Sequence, residues 1–147
     1  QDSVRLGLEA LGPCDWVLVH DGARPCLDQA LLERGWDAVR HFGAALAGMP
    51  VKDTIKVVSP ELTVQETPPR EGLWAAQTPQ FFRFDLLQQA HQQCLESVTD
   101  DAAIVEQLGH PVQMFLGSYE NLKITTPDDL TIAEALLTRR YAKQPTP

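Results

Sequence analysis

Short apolar runs that each end in a polar turn, with helix-period segments between them, constrain this chain more than any other feature. Trp16-Val17-Leu18-Val19-His20 is rich in branched and aromatic residues and is bounded by turn formers. That is the pattern of a strand buried on both faces of a parallel sheet. Ala44 to Val51 is a second such run, built from small residues, and Val112 to Leu116 is another. Leu73 to Ala76 adds a strand, and Thr78-Pro79-Gln80-Phe81-Phe82 reads as a turn followed by core aromatics.

Helical segments fill the gaps. Ser3 can cap a short helix with Val4, Leu8 and Leu11 on one face, stopped at Gly12-Pro13. Asp28 opens a stretch carrying Leu31, Leu32, Trp36 and Val39 that closes near Gly43. Phe84 to Leu95 aligns Leu87, Ala90, His91 and Cys94, and Thr99-Asp100-Asp101 starts a helix that ends by Gly109. Thr126-Pro127-Asp128-Asp129 combines a hydroxyl cap, proline at the first helical position and acids in the first turn, so a helix runs from there to about Arg140. Alternating strands and helices predict an α/β fold with a parallel or mostly parallel sheet and helices on both faces. Residues 1–142 read as one domain and 143–147 as a flexible tail. Ile55 to Val58 and Thr63 to Thr67 flank Ser59-Pro60-Glu61-Leu62 as an antiparallel hairpin. It has too few large apolar residues for a core of its own, so residues 52–71 read as an arm leaving the domain, stiffened by Pro68-Pro69.

Charge narrows the partners. Twelve basic against 20 acidic residues give a net charge of −8. A nucleic-acid binder carries a basic face, so DNA and RNA are disfavoured, whereas a small phosphorylated substrate fits if the few cations converge. No apolar run approaches the roughly 20 residues that cross a bilayer, so no membrane partner is expected. Cys14, Cys26 and Cys94 are far apart and contain no C-x-x-C pair; they read as reduced packing thiols of a cytosolic protein.

In a parallel α/β sheet the ligand sits beyond the carboxyl ends of the strands. That rule selects Asp21 to Pro25, Lys52 to Thr54, Thr78 and Lys123 as the candidate site. An Asp at a strand end can hold a divalent cation through oxygen, Gly22 lets a ligand approach the backbone, and Arg24 can grip a phosphate with two parallel hydrogen bonds. The competing reading is an ordinary turn with an exposed Asp21–Arg24 ion pair. Lys52, Lys56 and Arg70 read, on charge alone, as solubilising groups on a solvated arm. Lys123 lies between Leu122 and Ile124 and so belongs to a strand; only its position at a strand end raises it above a surface lysine. Thr99-Asp100-Asp101 reads first as a helix cap, although a capped N-terminus also offers amides to phosphate. The four histidines show no metal-ligand spacing, and no nucleophile elbow or P-loop is present.

Taken together, Asp2-Ser3-Val4, Val19 to Pro25 (V-H-D-G-A-R-P), Pro50 to Lys56 (P-V-K-D-T-I-K), Gly72 to Phe82 (G-L-W-A-A-Q-T-P-Q-F-F), Val98 to Ala102 (V-T-D-D-A) and Asn121 to Leu130 (N-L-K-I-T-T-P-D-D-L) resemble the 2-C-methyl-D-erythritol 4-phosphate cytidylyltransferase family, in that family's order. The resemblance implies a three-layer, Rossmann-like nucleotidyltransferase sheet with a protruding hairpin arm. It also implies a Mg2+-dependent transfer of CMP from CTP to a sugar-alcohol phosphate, with release of pyrophosphate. By carry-over Asp21 would contact the metal and help fix the nucleotide, with Ser3 near the nucleotide and Gly22 among the substrate-binding residues. Arg24, Thr54, Arg70, Thr78 and Thr99 would surround the acceptor, and Arg70 and Lys123 would hold the attacking phosphate. The arm would cross a homodimer interface, so that Thr54 and Arg70 serve the partner's site. Such a protein is expected in bacterial cytoplasm or plastid stroma. The family's opening strands, its P-A-A-G-x-G-x-R loop and its P-K-Q segment have no counterpart before Gln1, so the expectation is a carboxy-terminal part, inactive by itself. The sister activity on ribitol 5-phosphate is the nearest rival, and Gly22-Ala23 ahead of Arg24-Pro25 favours the methylerythritol enzymes. A non-catalytic dimerisation or binding remnant is the rival from another class.

Overall fold

The computed structural model describes residues 2–12, 14–93 and 98–142. The tail 143–147, Cys94 and the last residues of the helix expected to reach Leu95 lie outside the described residues. The elements, in order, are α1 (Asp2–Leu11), β1 (Trp16–Val19), α2 (Gln29–Phe42), β2 (Ala44–Pro50), β3 (Val57–Val58), β4 (Val64–Glu66), β5 (Trp74–Arg83), α3 (Phe84–Gln93), α4 (Asp101–Gln107), β6 (Gln113–Leu116) and α5 (Pro127–Ala142). Among the described residues no helix is long and apolar enough to cross a membrane.

The main sheet has the order β1-β5-β2-β6. β2 and β6 are parallel, while β5 runs antiparallel to both β1 and β2. Three of the four strands therefore point the same way, but two of the three pairings are antiparallel. The reason lies between β2 and β5. Parallel neighbours need a crossover of a dozen or more residues, usually a helix. Here the chain leaves β2 into the arm and returns with no helix, so β5 comes back alongside β2 in the opposite sense.

Strand alternation divides the core into two. Ala44, Leu46 and Phe82 face a cluster with Leu8 of α1, Leu87 and Ala90 of α3, and Ile104 and Val105 of α4. Ala45, Ala47, Phe81 and Phe115 face the other way, onto Leu31 and Val39 of α2. Each successive side chain of a strand points to the opposite face, so β2 needs an apolar residue at every inner position. Helix α2 begins where Asp28 accepts from the Leu31 amide (2.8 Å) and ends at Gly43, whose φ of 80° only glycine adopts freely.

Two details of the expectation change. β5 continues through Thr78-Pro79, where a turn was expected. Along β2 the step from Leu46 to Gly48 covers the stretch from Gln80 to Ala76 of β5, so Gln77, Thr78 and Pro79 bulge out of the ladder. Proline has no amide to donate, and within the bulge none is required. Lys123 lies in an irregular loop, not a strand, held to the first loop by the Ile124 amide on the Ala23 carbonyl (2.8 Å). β3 and β4 form a separate two-stranded sheet.

Candidate functional site

The chain beyond β1 meets the bulged part of β5 because Val19 pairs with Gln80. The polar turn after β1 therefore lies directly against Thr78. The Asp21 amide donates to Thr78 Oγ1 (2.9 Å), and His20 bridges Thr78 Oγ1 (Nδ1, 3.1 Å) and the Arg24 carbonyl (Nε2, 3.0 Å). The loop after β6 closes the other side. Asn121, fully buried, donates to the Thr78 carbonyl (2.8 Å), and Arg24 Nη1 donates to the Asn121 carbonyl (2.8 Å). Asn121 Oδ1 has no hydrogen-bond partner among the described residues.

These loops enclose a cavity of about 660 Å³ lined by Ser3, Asp21, Gly22, Arg24, Thr78, Thr99 and Lys123, together with His20, Gln77, Gln80, Asp100 and Asp101. Of the nine residues assigned a site role from sequence, seven thus converge, and Lys52 and Asp53 of the strand-end selection lie outside the cavity. Ser3 reaches the rim from within α1, not as its cap. Thr54 and Arg70 do not join them. Both are exposed on the arm, where Arg70 Nη1 donates to the Lys52 carbonyl (2.6 Å). Lys52 itself rests over the Tyr119 ring, 3.3 Å from its centroid.

Charge in the cavity is paired. Lys123 Nζ is 3.0 Å from Asp21 Oδ2, and Arg24 Nε is 3.4 Å from the same oxygen, near enough for an ion pair but not aligned as a hydrogen bond. Partial burial pushes the Asp21 carboxyl up, but Lys123 and then Arg24 outweigh it and hold it below the ordinary carboxylate range. Asp21 is therefore ionised across the neutral range. Arg24 is largely buried and braces the wall, whereas the Lys123 side chain is half exposed and can turn toward a ligand.

Gln80 and His91, given no site role from sequence, hold the opposite wall together with the Asp100-Asp101 helix start. Gln80, almost wholly buried, donates to Asp100 Oδ2 (3.1 Å) and accepts from the Ala102 amide (3.0 Å). Within the expected Thr99-Asp100-Asp101 helix start, Asp100 caps α4 through the Ala103 amide (2.9 Å), and Thr99 lines the cavity. Behind it His91 Nε2 meets Asp101 Oδ1 at 2.8 Å, and burial raises the Asp101 carboxyl despite that partner. The available signal was a glutamine in an otherwise apolar strand end, Gln80-Phe81-Phe82. Among the described residues no group of three His, Cys, Asp or Glu side chains is set to hold a metal.

A family model for 2-C-methyl-D-erythritol 4-phosphate cytidylyltransferase matches residues 1–139. The enzyme of that name from Dehalococcoides mccartyi strain 195 is 53% identical over 137 residues, covering 93% of this chain and 60% of that protein. The one from Syntrophotalea carbinolica is 53% identical over 142 residues, again with 93% of this chain and 60% of that protein. The crystal structure of the Thermus thermophilus enzyme superposes with a TM-score of 0.84 at 40% identity, covering 92% of this chain and 68% of that one. The chain thus spans about 60% of the length of these curated relatives. With the match running over residues 1–139, the chain belongs to the 2-C-methyl-D-erythritol 4-phosphate cytidylyltransferase family.

Proposed function

We propose that the protein this chain represents transfers CMP from CTP to 2-C-methyl-D-erythritol 4-phosphate, releasing pyrophosphate, as a step in isoprenoid precursor synthesis. The observation that carries the reading is the convergence of Asp21, Arg24, Thr78, Thr99 and Lys123 on one cavity of a strongly acidic chain. An oxygen of the acceptor phosphate attacks the α-phosphorus of CTP; that O–P bond forms as the bond to the β-phosphate oxygen breaks, and the electron pair leaves with pyrophosphate. A phosphate monoester is largely ionised at neutral pH, so the nucleophile needs no general base. What the protein must supply is alignment and positive charge.

Lys123 is suited to that task because its half-exposed ammonium is held over the cavity by Asp21. Arg24 and the threonines shape the acceptor side, with Ser3 and Gly22 near the nucleotide. Thr54 and Arg70 lie outside their own chain's cavity, which supports an arm that serves the site of a second copy in a homodimer. A magnesium ion fits the donor chemistry: Asp21 provides one hard carboxylate, and Mg2+ commonly takes one or two carboxylates and completes its shell with substrate phosphates and water. When bound, it would neutralise phosphate charge. Asp100 and Asp101 already serve Gln80, the Ala103 amide and His91 in the wall, whereas Asp21 is paired with the cavity's own cations, so it is the carboxylate that would hold the ion.

The test is pyrophosphate release by the protein at the full length of its relatives, with CTP and each acceptor. Lys123→Ala should lower kcat/KM by roughly a hundredfold with an unchanged melting temperature, the size of effect seen when one charge-stabilising donor is removed. A near-wild-type rate would remove Lys123 from the mechanism, and a preference for ribitol 5-phosphate would overturn the acceptor.

A further inference from the structure

His20 stands in the cavity wall without a part in the transfer just described, yet both its ring nitrogens are engaged. Nε2 lies 3.0 Å from the Arg24 carbonyl oxygen and Nδ1 lies 3.1 Å from Thr78 Oγ1. A carbonyl can only accept, so Nε2 must carry a hydrogen. In the neutral ring Nδ1 is then a bare acceptor, and the Thr78 hydroxyl must donate to it. The same Thr78 oxygen accepts from the Asp21 amide at 2.9 Å. A hydroxyl has one hydrogen and two lone pairs; the hydrogen and one lone pair are both used inside the protein. Thr78 is left with a single lone pair to present to the cavity it lines.

We propose that His20 is a positioning residue that fixes Thr78 as a hydrogen-bond acceptor, so that Thr78 takes a hydroxyl group of the polyol acceptor and not one of its phosphate oxygens. This rests on the functional reading above and sharpens it. An ionised phosphate oxygen offers no hydrogen, and facing it with a lone pair is repulsive. The cations Lys123 and Arg24 are the groups suited to the phosphate. The site would then be oriented by polarity: phosphate toward the ammonium and guanidinium, polyol hydroxyl toward Thr78. A buried acceptor left unpartnered is costly, so such a site rejects an analogue that lacks the hydroxyl. His20 would also lock the turn itself, since it joins β5 to the backbone of the residue that braces the loop.

Two substitutions separate the two ends of the ring. His20→Asn keeps an acceptor near the Nδ1 position and loses the link to the Arg24 carbonyl. His20→Gln keeps a donor near the Nε2 position and loses the acceptor for Thr78. In the protein at full length, calorimetric affinity for 2-C-methyl-D-erythritol 4-phosphate should fall about tenfold in His20→Gln and change by no more than about threefold in His20→Asn. Affinity for inorganic phosphate should stay level in all three proteins. Adding Thr78→Val to His20→Gln should weaken acceptor binding no more than Thr78→Val alone, because one interaction is being removed twice. Nitrogen-edited imidazole spectra should place the His20 proton on Nε2 alone. A proton on Nδ1, or equal losses in the Asn and Gln variants, would overturn the positioning role. No binding of the acceptor by the wild type, with the proton still on Nε2, would instead overturn the functional reading and the polyol assignment with it, so the two failures are distinguishable.

Discussion

Gly35 shows how a single position can carry the packing of a whole face. It is buried in α2, and a β-carbon added there would come far inside van der Waals distance of Phe81 Cε2 and Cζ, a clash with the ring edge. Phe81 cannot give way: it is fully buried, with Trp36 edge-on at 5.2 Å and Phe115 at 5.8 Å. Alanine gains at most about 1 kcal/mol of helix propensity over glycine, whereas overpacking a closed core costs about 1–3 kcal/mol. Gly35→Ala should therefore lower unfolding free energy in denaturant melts, and an increase would mean that the α2–β5 contact is looser than described. The sequence reading placed Leu31, Leu32, Trp36 and Val39 on this face but passed over Gly35, because a missing side chain leaves no mark in an apolar pattern. His20 and Asn121 escaped for the opposite reason. Each looks like an ordinary polar residue until its partners on Thr78 and Arg24, in three of these contacts 43 to 97 positions away in the chain, are brought to it.

At the scale of elements, α5 is the clearest case of local sequence deciding local structure. Thr126 Oγ1 accepts from the Asp129 amide (3.3 Å), and Asp129 Oδ2 in return accepts from the amides of Thr125 (2.9 Å) and Thr126 (2.8 Å) and from the Thr125 hydroxyl. This reciprocal cap satisfies donors that the first helical turn cannot. The Thr125 amide and hydroxyl, followed by Thr126, hold the Asp129 carboxyl down at about 2, from an ordinary 3.8. The folded state therefore binds this proton less readily than the unfolded chain. The stability Asp129 supplies is fully present above about pH 4 and is lost as the pH falls through about 2. Asp129→Asn should be less stable than wild type at about pH 5, and the gap should close toward about pH 2; a gap independent of pH would show that the charge plays no part. Helix starts such as this one and Asp28 of α2 were legible because capping acts over three or four residues. β5 was not. Thr78-Pro79 looked like a turn, since the bulge that accommodates it is set by pairing with β2 and cannot be seen in β5 itself. Lys123 was misplaced on a three-residue alternation, too short to separate a strand from a pinned loop.

For the molecule as a whole, the cavity and the arm pose one question between them. The layers, the β1 turn and the placing of Asp21, Arg24 and Thr78 were foreseeable from strand ends; Thr99 entered only through the family resemblance, Lys123 was picked on a strand it does not form, and the antiparallel return of β5 depends on a long-range choice of neighbour. Thr54 and Arg70 were expected at a site, and their own chain's cavity does not contain them. The arm that carries them pairs only β3 with β4 and exposes Val58 (45%), Leu62 (80%) and Val64 (53%). An isolated two-stranded hairpin is marginal in water, and apolar side chains along one favour a covering surface. A second copy of the chain is the occupant that would also complete the site. Subunit mixing tests this directly in the full-length protein. A Lys123→Ala chain has a damaged cavity but an intact arm; an Arg70→Ala chain has the reverse. If each cavity takes Arg70 from the other subunit, one of the two sites in a mixed dimer regains both groups, while every same-type dimer stays impaired. Random reassortment should then restore up to about a quarter of wild-type turnover. If Arg70 served its own chain, each subunit of the mixed dimer would carry one defect in its own site, and mixing would restore nothing.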